Sequence, residues 1–303
     1  MLPVFRSRWR CSWLLAISLL VCLLLPLAAL AAEHGAGLAD KKAILLVSFG
    51  TSVQSAQKVF AKIEAATKAR FPGVEVRWAF TSKMIRHKLA RQGQVTLSPA
   101  QALANLAEDG FDRVAVQSLH IIPGEEFEGL QDTAQRFSGM PKVLKQVTVG
   151  QPLLASPPDM RRVAQAMLAQ APAERKPQEA LVFMGHGTPH QANALYPAMA
   201  AIFKELDANA FLATVEAKPD LASVEKELQQ RGIKKAWLIP LMSVAGDHAR
   251  NDMAGKEADS WASQLGRAGI ACQPVLKGMA EYPSVVAVWM DHLQQAWDGL
   301  GKD

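Results

Sequence analysis

Short apolar runs alternate along the chain with longer stretches in which apolar residues return every three or four positions. The runs cover 43–49, 74–80, 113–119, 147–153, 181–184, 211–215, 236–241 and 271–276. Several are nearly continuous in apolar residues, the pattern of strands covered on both faces. The intervening stretches carry helix punctuation. In SPAQALANLAEDG, Ser98 is the expected N-cap, Pro99 lies in the first turn and Gly110 is the stop. SPPDMRRVAQAMLAQ repeats the Ser-Pro start at Ser156, and DLASVEKELQQRG starts at Asp220 and stops at Gly232. Regular alternation of strand and helix predicts an α/β fold with parallel sheets.

The two halves also match each other. DGFDRVAVQSLHIIPGEE (109–126) lies over RGIKKAWLIPLMSVAGDH (231–248) at a constant offset of 122, and the same offset places QPLL at 151–154 on QPVL at 273–276. LLVSFGTS (45–52) and VFMGHGTPH (182–190) form another pair, offset by 137, with Phe49 where the second copy has His186. An offset unbroken over separate stretches points to internal duplication: two similar α/β lobes, each with about four parallel strands, and a cleft between them. The expected boundaries are 41–155 for the first lobe, 156–280 for the second and 281–303 for a C-terminal helix. In open α/β sheets, ligands gather beyond the carboxyl ends of the strands.

Residues 1–32 are set apart from this plan. Arg6, Arg8 and Arg10 precede the apolar stretch WLLAISLLVCLLLPLAAL, and Ala29-Leu30-Ala31 offers a small-x-small cleavage site. That is the layout of a secretory signal peptide, which predicts its removal and a periplasmic location. Pro26 and the small residues that close the stretch argue against a retained membrane span. Val21 before Cys22 stands where a lipoprotein signal wants a small residue. Without the three signal arginines, the formal charge of +5 falls to +2, from 30 basic and 28 acidic residues. The basic balance of the whole chain is therefore no argument for a nucleic-acid partner. Cys11 and Cys22 leave with the signal, and Cys272 alone cannot form an internal disulfide.

Three residues of the second half combine chemistry with position. His186, between two glycines, ends the first strand of its lobe; the glycines suit a tight turn and are expected to leave room for a ligand. Glu216 ends an apolar strand, where a carboxylate needs a partner. His248 follows a strand end and opens a helix that carries Arg250, Asn251 and Asp252. Two imidazoles and a carboxylate at three neighbouring strand ends are a divalent-metal set with coordination positions left open. Their counterparts in the first half, Phe49, a position near Phe80, and Glu126, are largely apolar, so that lobe is expected to present a flat wall to a planar ligand. His120 ends a strand that faces the cleft. His87 lies on a basic helix with Lys83, Arg86, Lys88 and Arg91; His190 falls in a loop, His34 in the N-terminal tail and His292 in the last helix.

LLVSFGTS, AFTSKMI, VAVQSLHIIPGEEFE, VFMGHGTPH, VEAKPD and PLMSVAGDHARNDMAG together resemble the anaerobic sirohydrochlorin cobalt chelatases of the CbiK type, class II chelatases related to ferrochelatase. The resemblance covers nearly all of residues 42–300. It implies two Rossmann-like lobes and insertion of Co²⁺ into the tetrapyrrole sirohydrochlorin; the affinity order of divalent metals leaves Fe²⁺ and Ni²⁺ as further candidates. It assigns metal handling to His186, Glu216 and His248. Phe49 would meet the ring face, and Arg250, Lys83 and Arg86 would meet its carboxylates. An export signal departs from that family's usual cytoplasmic setting. It raises an alternative, a periplasmic haem- or metal-binding protein on the same fold, with His87 as a haem ligand in a homo-oligomer.

Overall fold

The structure is a computed structural model that describes residues 41–141 and 143–302. The signal-peptide expectation for 1–32, and His34, lie outside the described residues. Among the described residues are eight strands: β1 (Lys42–Ser48), β2 (Glu75–Phe80), β3 (Arg113–Ser118), β4 (Gln146–Gly150), β5 (Ala180–Gly185), β6 (Ala210–Thr214), β7 (Lys235–Pro240) and β8 (Ala271–Pro274). They form two sheets of identical plan, ordered β2-β1-β3-β4 and β6-β5-β7-β8. Every neighbouring pair is parallel.

The described residues also form nine α-helices: α1 (Gln54–Arg70), α2 (Lys83–Arg91), α3 (Pro99–Glu108), α4 (Glu125–Phe137), α5 (Pro157–Leu168), α6 (Leu195–Leu206), α7 (Leu221–Gln230), α8 (Trp261–Arg267) and α9 (Pro283–Gly299). The punctuation read from the sequence is realised. Ser98 and Gln101 form a capping box at α3, and Ser156 and Asp220 accept from backbone N–H groups at the starts of α5 and α7. Gly110 and Gly232 adopt positive φ just beyond their helices.

Strand periodicity divides the core. In β1, Ala43, Leu45 and Val47 point into a layer with Leu103 and Leu106 of α3, while Ile44 and Leu46 point the other way. In β5, Val182 and Met184 pack with Val224 and Leu228 of α7, while Leu181 and Phe183 point the other way. The opposite faces of both sheets meet one continuous cluster, which also takes Ile63 of α1, Val163 of α5, Phe203 of α6 and Trp289 of α9. Phe183 and Phe203 stack there with ring centroids 4.1 Å apart. Burial of each such large apolar side chain contributes about 1.5–3 kcal/mol.

The chain does not finish where it was last working. After β8 it returns to the first sheet, where α9 covers β3 and β4. Thr148 donates from its hydroxyl to the Ala296 carbonyl at 2.8 Å, and Trp289 Nε1 donates to the His120 carbonyl at 3.4 Å. His292 is buried: its Nδ1 lies 3.1 Å from the Gln151 carbonyl and its Nε2 3.3 Å from Asp159 at the start of α5. β4 also stops earlier than its apolar run. Leu153 and Leu154 leave the sheet and donate to the carbonyls of His120 and Ile121, at 3.0 and 2.8 Å.

Candidate metal centre

β5 ends at Gly185, and the chain turns through His186 and Gly187. Gly187 has φ +84°, and a Cβ there would stand 2.8 Å from the Ala217 nitrogen; a Cβ on Gly185 would stand 2.5 Å from the Tyr196 ring. The expectation that these glycines reserve space for a ligand is thus corrected: the protein's own chain fills that space. Burial raises the pKa of the Tyr196 hydroxyl under this turn, against the opposing pull of the Gly187 and His186 backbone N–H groups. The turn is packed from below, so the imidazole is the part left free to face outward.

Glu216 lies two residues beyond β6. Its backbone N–H donates to the His186 carbonyl at 2.9 Å, and its Oε2 lies 3.6 Å from His186 Nδ1. His248 precedes a π-helical turn, Ala249–Met253, where a helix start was expected; such turns recur at functional sites. One ligand atom from each of His186, Glu216 and His248 lies within 4.8 Å of the others. The two imidazoles meet edge to face with centroids 4.7 Å apart. β6, β5 and β7 are neighbours in the sheet, so residues 30 and 32 positions apart in sequence converge.

The tautomers follow from the partners. His186 Nδ1 lies 2.9 Å from the Gly187 carbonyl, which can only accept, so Nδ1 carries the proton. His248 Nδ1 hydrogen-bonds the Asp252 carboxylate. In a neutral ring these contacts place the proton on Nδ1 and leave Nε2 as the nitrogen with a free lone pair, and each ring is oriented by its Nδ1 contact, an arrangement that also stands behind metal-binding histidines. The three side chains are 37–50% exposed, open enough for an ion to arrive from solvent. Sequence reasoning passed over Asp252 as an orienting group. The signal was its i,i+4 spacing from His248, which puts both on one helical face.

The first lobe repeats this frame with other residues. Ser82 N–H donates to the Phe49 carbonyl at 3.3 Å, just as Glu216 does to His186. In register, Ser48 pairs with Phe80 and Gly185 with Thr214, so the counterpart of Glu216 is Ser82 rather than a residue near Phe80. Phe49 is 43% exposed, as a ring-contacting residue requires, but Phe80 is 8% exposed. It packs with Phe60, Trp78, Ile85 and Leu89, and its ring would lie 2.9 Å from a Cβ on Gly50. Phe80 therefore forms no part of an open wall. Glu126 is exposed in the first turn of α4.

The remaining sequence candidates fall in several settings. Arg250 is engaged within the protein, donating from Nη2 to Ser55 Oγ at 2.9 Å. Arg86 donates to the carbonyls of Phe80 and Thr81. Lys83 and His87 are exposed on α2. His190 Nδ1 accepts from the Ala192 N–H, and its Nε2 lies 3.2 Å from Glu128 in the first lobe. His120 is buried, with Nδ1 2.9 Å from Ser118 Oγ and Nε2 3.4 Å from Thr81 Oγ1; burial pushes its pKa down to about 4.

Two parallel four-stranded sheets of one plan, joined through a common core, are the class II chelatase fold. The sirohydrochlorin chelatase SirB from Bacillus subtilis subspecies spizizenii, solved in complex with cobalt, superposes with a TM-score of 0.55 at 14% identity, over 87% of this chain and 98% of that one. Residues 42–298 match the family model for the cobalt chelatase CbiK, and the chain belongs to that family. It is 44% identical over 263 residues to the sirohydrochlorin cobaltochelatase CbiKC of Nitratidesulfovibrio vulgaris, covering 86% of this chain and 92% of the relative. It is 39% identical to the sirohydrochlorin cobaltochelatase of Salmonella typhimurium, over 84% and 96% of the two chains.

Proposed function

We propose that this protein inserts Co²⁺ into sirohydrochlorin, with His186, Glu216 and His248 as the groups that handle the metal. The observation that carries the reading is the convergence of those three side chains within 4.8 Å at adjacent strand ends. Support comes also from two relatives named for this activity that align over most of both chains. Neutral imidazoles present Nε2 lone pairs to the ion, and Glu216 supplies an anionic oxygen. Three protein ligands leave coordination positions for the pyrrole nitrogens. Insertion replaces two pyrrole N–H protons with one divalent ion, so two protons leave. Glu216, half exposed beside His186, or one of the two histidines would accept them and pass them to solvent. Phe49 offers its exposed ring to one face of the tetrapyrrole.

The test is anaerobic mixing of the protein with sirohydrochlorin and Co²⁺, followed by absorption, with Fe²⁺ and Ni²⁺ in parallel. His186→Ala and His248→Ala should each slow insertion by more than about a hundredfold, beyond the usual loss from removing an orienting group. A double variant with full activity would refute the site. From the signal-like pattern of residues 1–32 we further propose export to the periplasm; cell fractionation checks it. Exposed His87 on the basic helix α2 favours a second reading, haem binding. It requires a Soret band that disappears in His87→Ala.

A further inference from the structure

The metal-handling groups are not all held in the same way. His186 and Glu216 are fastened within the second lobe, through the Gly187 carbonyl and through the Glu216 N–H to the His186 carbonyl. His248 belongs to a strap, residues 242–253, whose Ala245, Ala249 and Met253 are buried in the core of the second lobe and whose other side reaches the first lobe. Ser243 Oγ donates to the Leu119 carbonyl beyond β3 at 2.7 Å. A Cβ on Gly246 would stand 3.5 Å from Thr51 Oγ1 in the loop after β1. Asp247 pairs with Lys88 of α2 at 3.4 Å. Arg250, on the turn that His248 opens, reaches Ser55 in the first turn of α1 at 2.9 Å, and its Nε is buried. The strap therefore touches the loops or helices that follow three strands of the opposite lobe.

Resting on the reading of His186, Glu216 and His248 as the metal-handling set, we infer that Arg250 and Ser55 are positioning residues for metal capture: they hold His248 from the first lobe. The metal centre is then complete only when the lobes are in register. Two ligands are held by the second lobe alone, and the third, carried on that lobe's core through Ala245 and Ala249, is held by the lobe with Phe49 as well. Arg250 thereby acts inside the protein, through His248.

The experiment is a Co²⁺ titration of the whole protein without tetrapyrrole, followed by calorimetry, with thermal melting recorded for each variant. Ser55 is exposed, so Ser55→Ala removes the hydroxyl without disturbing the core or any charge. Ser55→Ala and Arg250→Ala should each weaken Co²⁺ binding about tenfold, the low end for loss of an orienting group. Ser55→Thr, which keeps the hydroxyl, should restore it. Lys88→Ala should change it by at most about twofold, because that pair is exposed. His186→Ala is the control for the site itself. Wild-type affinity in Ser55→Ala and Arg250→Ala, with binding lost in His186→Ala, would overturn the inference and leave the metal site standing. Weakened binding in Arg250→Ala alone would break the link through Ser55. Unchanged binding in His186→Ala would instead sink the reading on which the inference rests.

Discussion

At the ends of β1 and β5 the two lobes turn the chain alike. Gly50 and Gly187 both take positive φ, 95° and 84°. The carbonyls of Phe49 and His186 both receive a backbone N–H from the neighbouring strand end, and Leu119 and Leu241 donate at 2.7 Å to Val47 and Met184. What differs is where the next helix begins. In the first lobe, Ser82 caps α2 directly, its hydroxyl accepting from the Ile85 N–H at 3.3 Å. In the second, capping passes to Asp220, which accepts from the Ser223 N–H at 3.2 Å. Hydrogen bonds from Lys218 and Ser223 hold the Asp220 carboxyl down to about 2. Moving the cap four residues downstream releases the side chain at 216 from structural duty. A carboxylate beside His186 is gained by lengthening one loop, while the frame beneath stays unchanged.

The largest test of this contrast uses the third pair of strand ends, where the first lobe has His120 and the second Met242. Burial lowers the His120 pKa from 6.5 to about 4. Between those values the unfolded chain binds a proton that the folded chain refuses. Stability should thus fall as pH drops from 6.5 to 4, by about 3 kcal/mol for this group, and be fully present above 6.5. His120→Met, which copies the second lobe, should flatten that part of a urea-midpoint profile; an unchanged slope would exclude His120 as its source. Next comes the shared turn. Gly187→Ala should cost about 1–3 kcal/mol, since it combines positive φ with contact against the Ala217 backbone. Gly50→Ala should cost a similar amount, because its obstacle is the buried Phe80 ring. A large difference between the two would show that the turns are not energetically equivalent. The smallest effect is at the caps: Ser82→Ala should lower stability by about 1 kcal/mol, read in the same denaturation assay.

Much of the frame was legible because it is written in local patterns. The apolar runs gave the strands, and the 122-residue offset marked two lobes of one plan, since buried parallel strands and capped helices leave strong signals. His186, Glu216 and His248 could be grouped because parallel topology places consecutive strand ends together. Phe80 was misread because an aromatic at a strand end looks the same whether it faces solvent or packs beneath a glycine. The counterpart of Glu216 was misplaced because the loops after β2 and β6 differ in length, and only strand register resolves such a shift. The glycines around His186 were read as space for a ligand because a missing side chain does not say which neighbour fills the gap. Ser55 lies 195 residues from Arg250, and no periodicity links them.

The return of α9 to the first sheet makes the second lobe an excursion in the middle of the chain. Lys42, at the start of β1, sits over the Trp297 ring near the end of α9, 5.7 Å from its centroid. Entry and exit of the folded chain are therefore neighbours on one lobe. A pull applied between residues 42 and 299 would load β1 and α9 on the first lobe before it reached the lobe bearing His186 and Glu216. Joining those two points and reopening the chain elsewhere would disturb neither sheet. The strands that present His186 and Glu216 are mechanically sheltered, and the first lobe acts as the clasp.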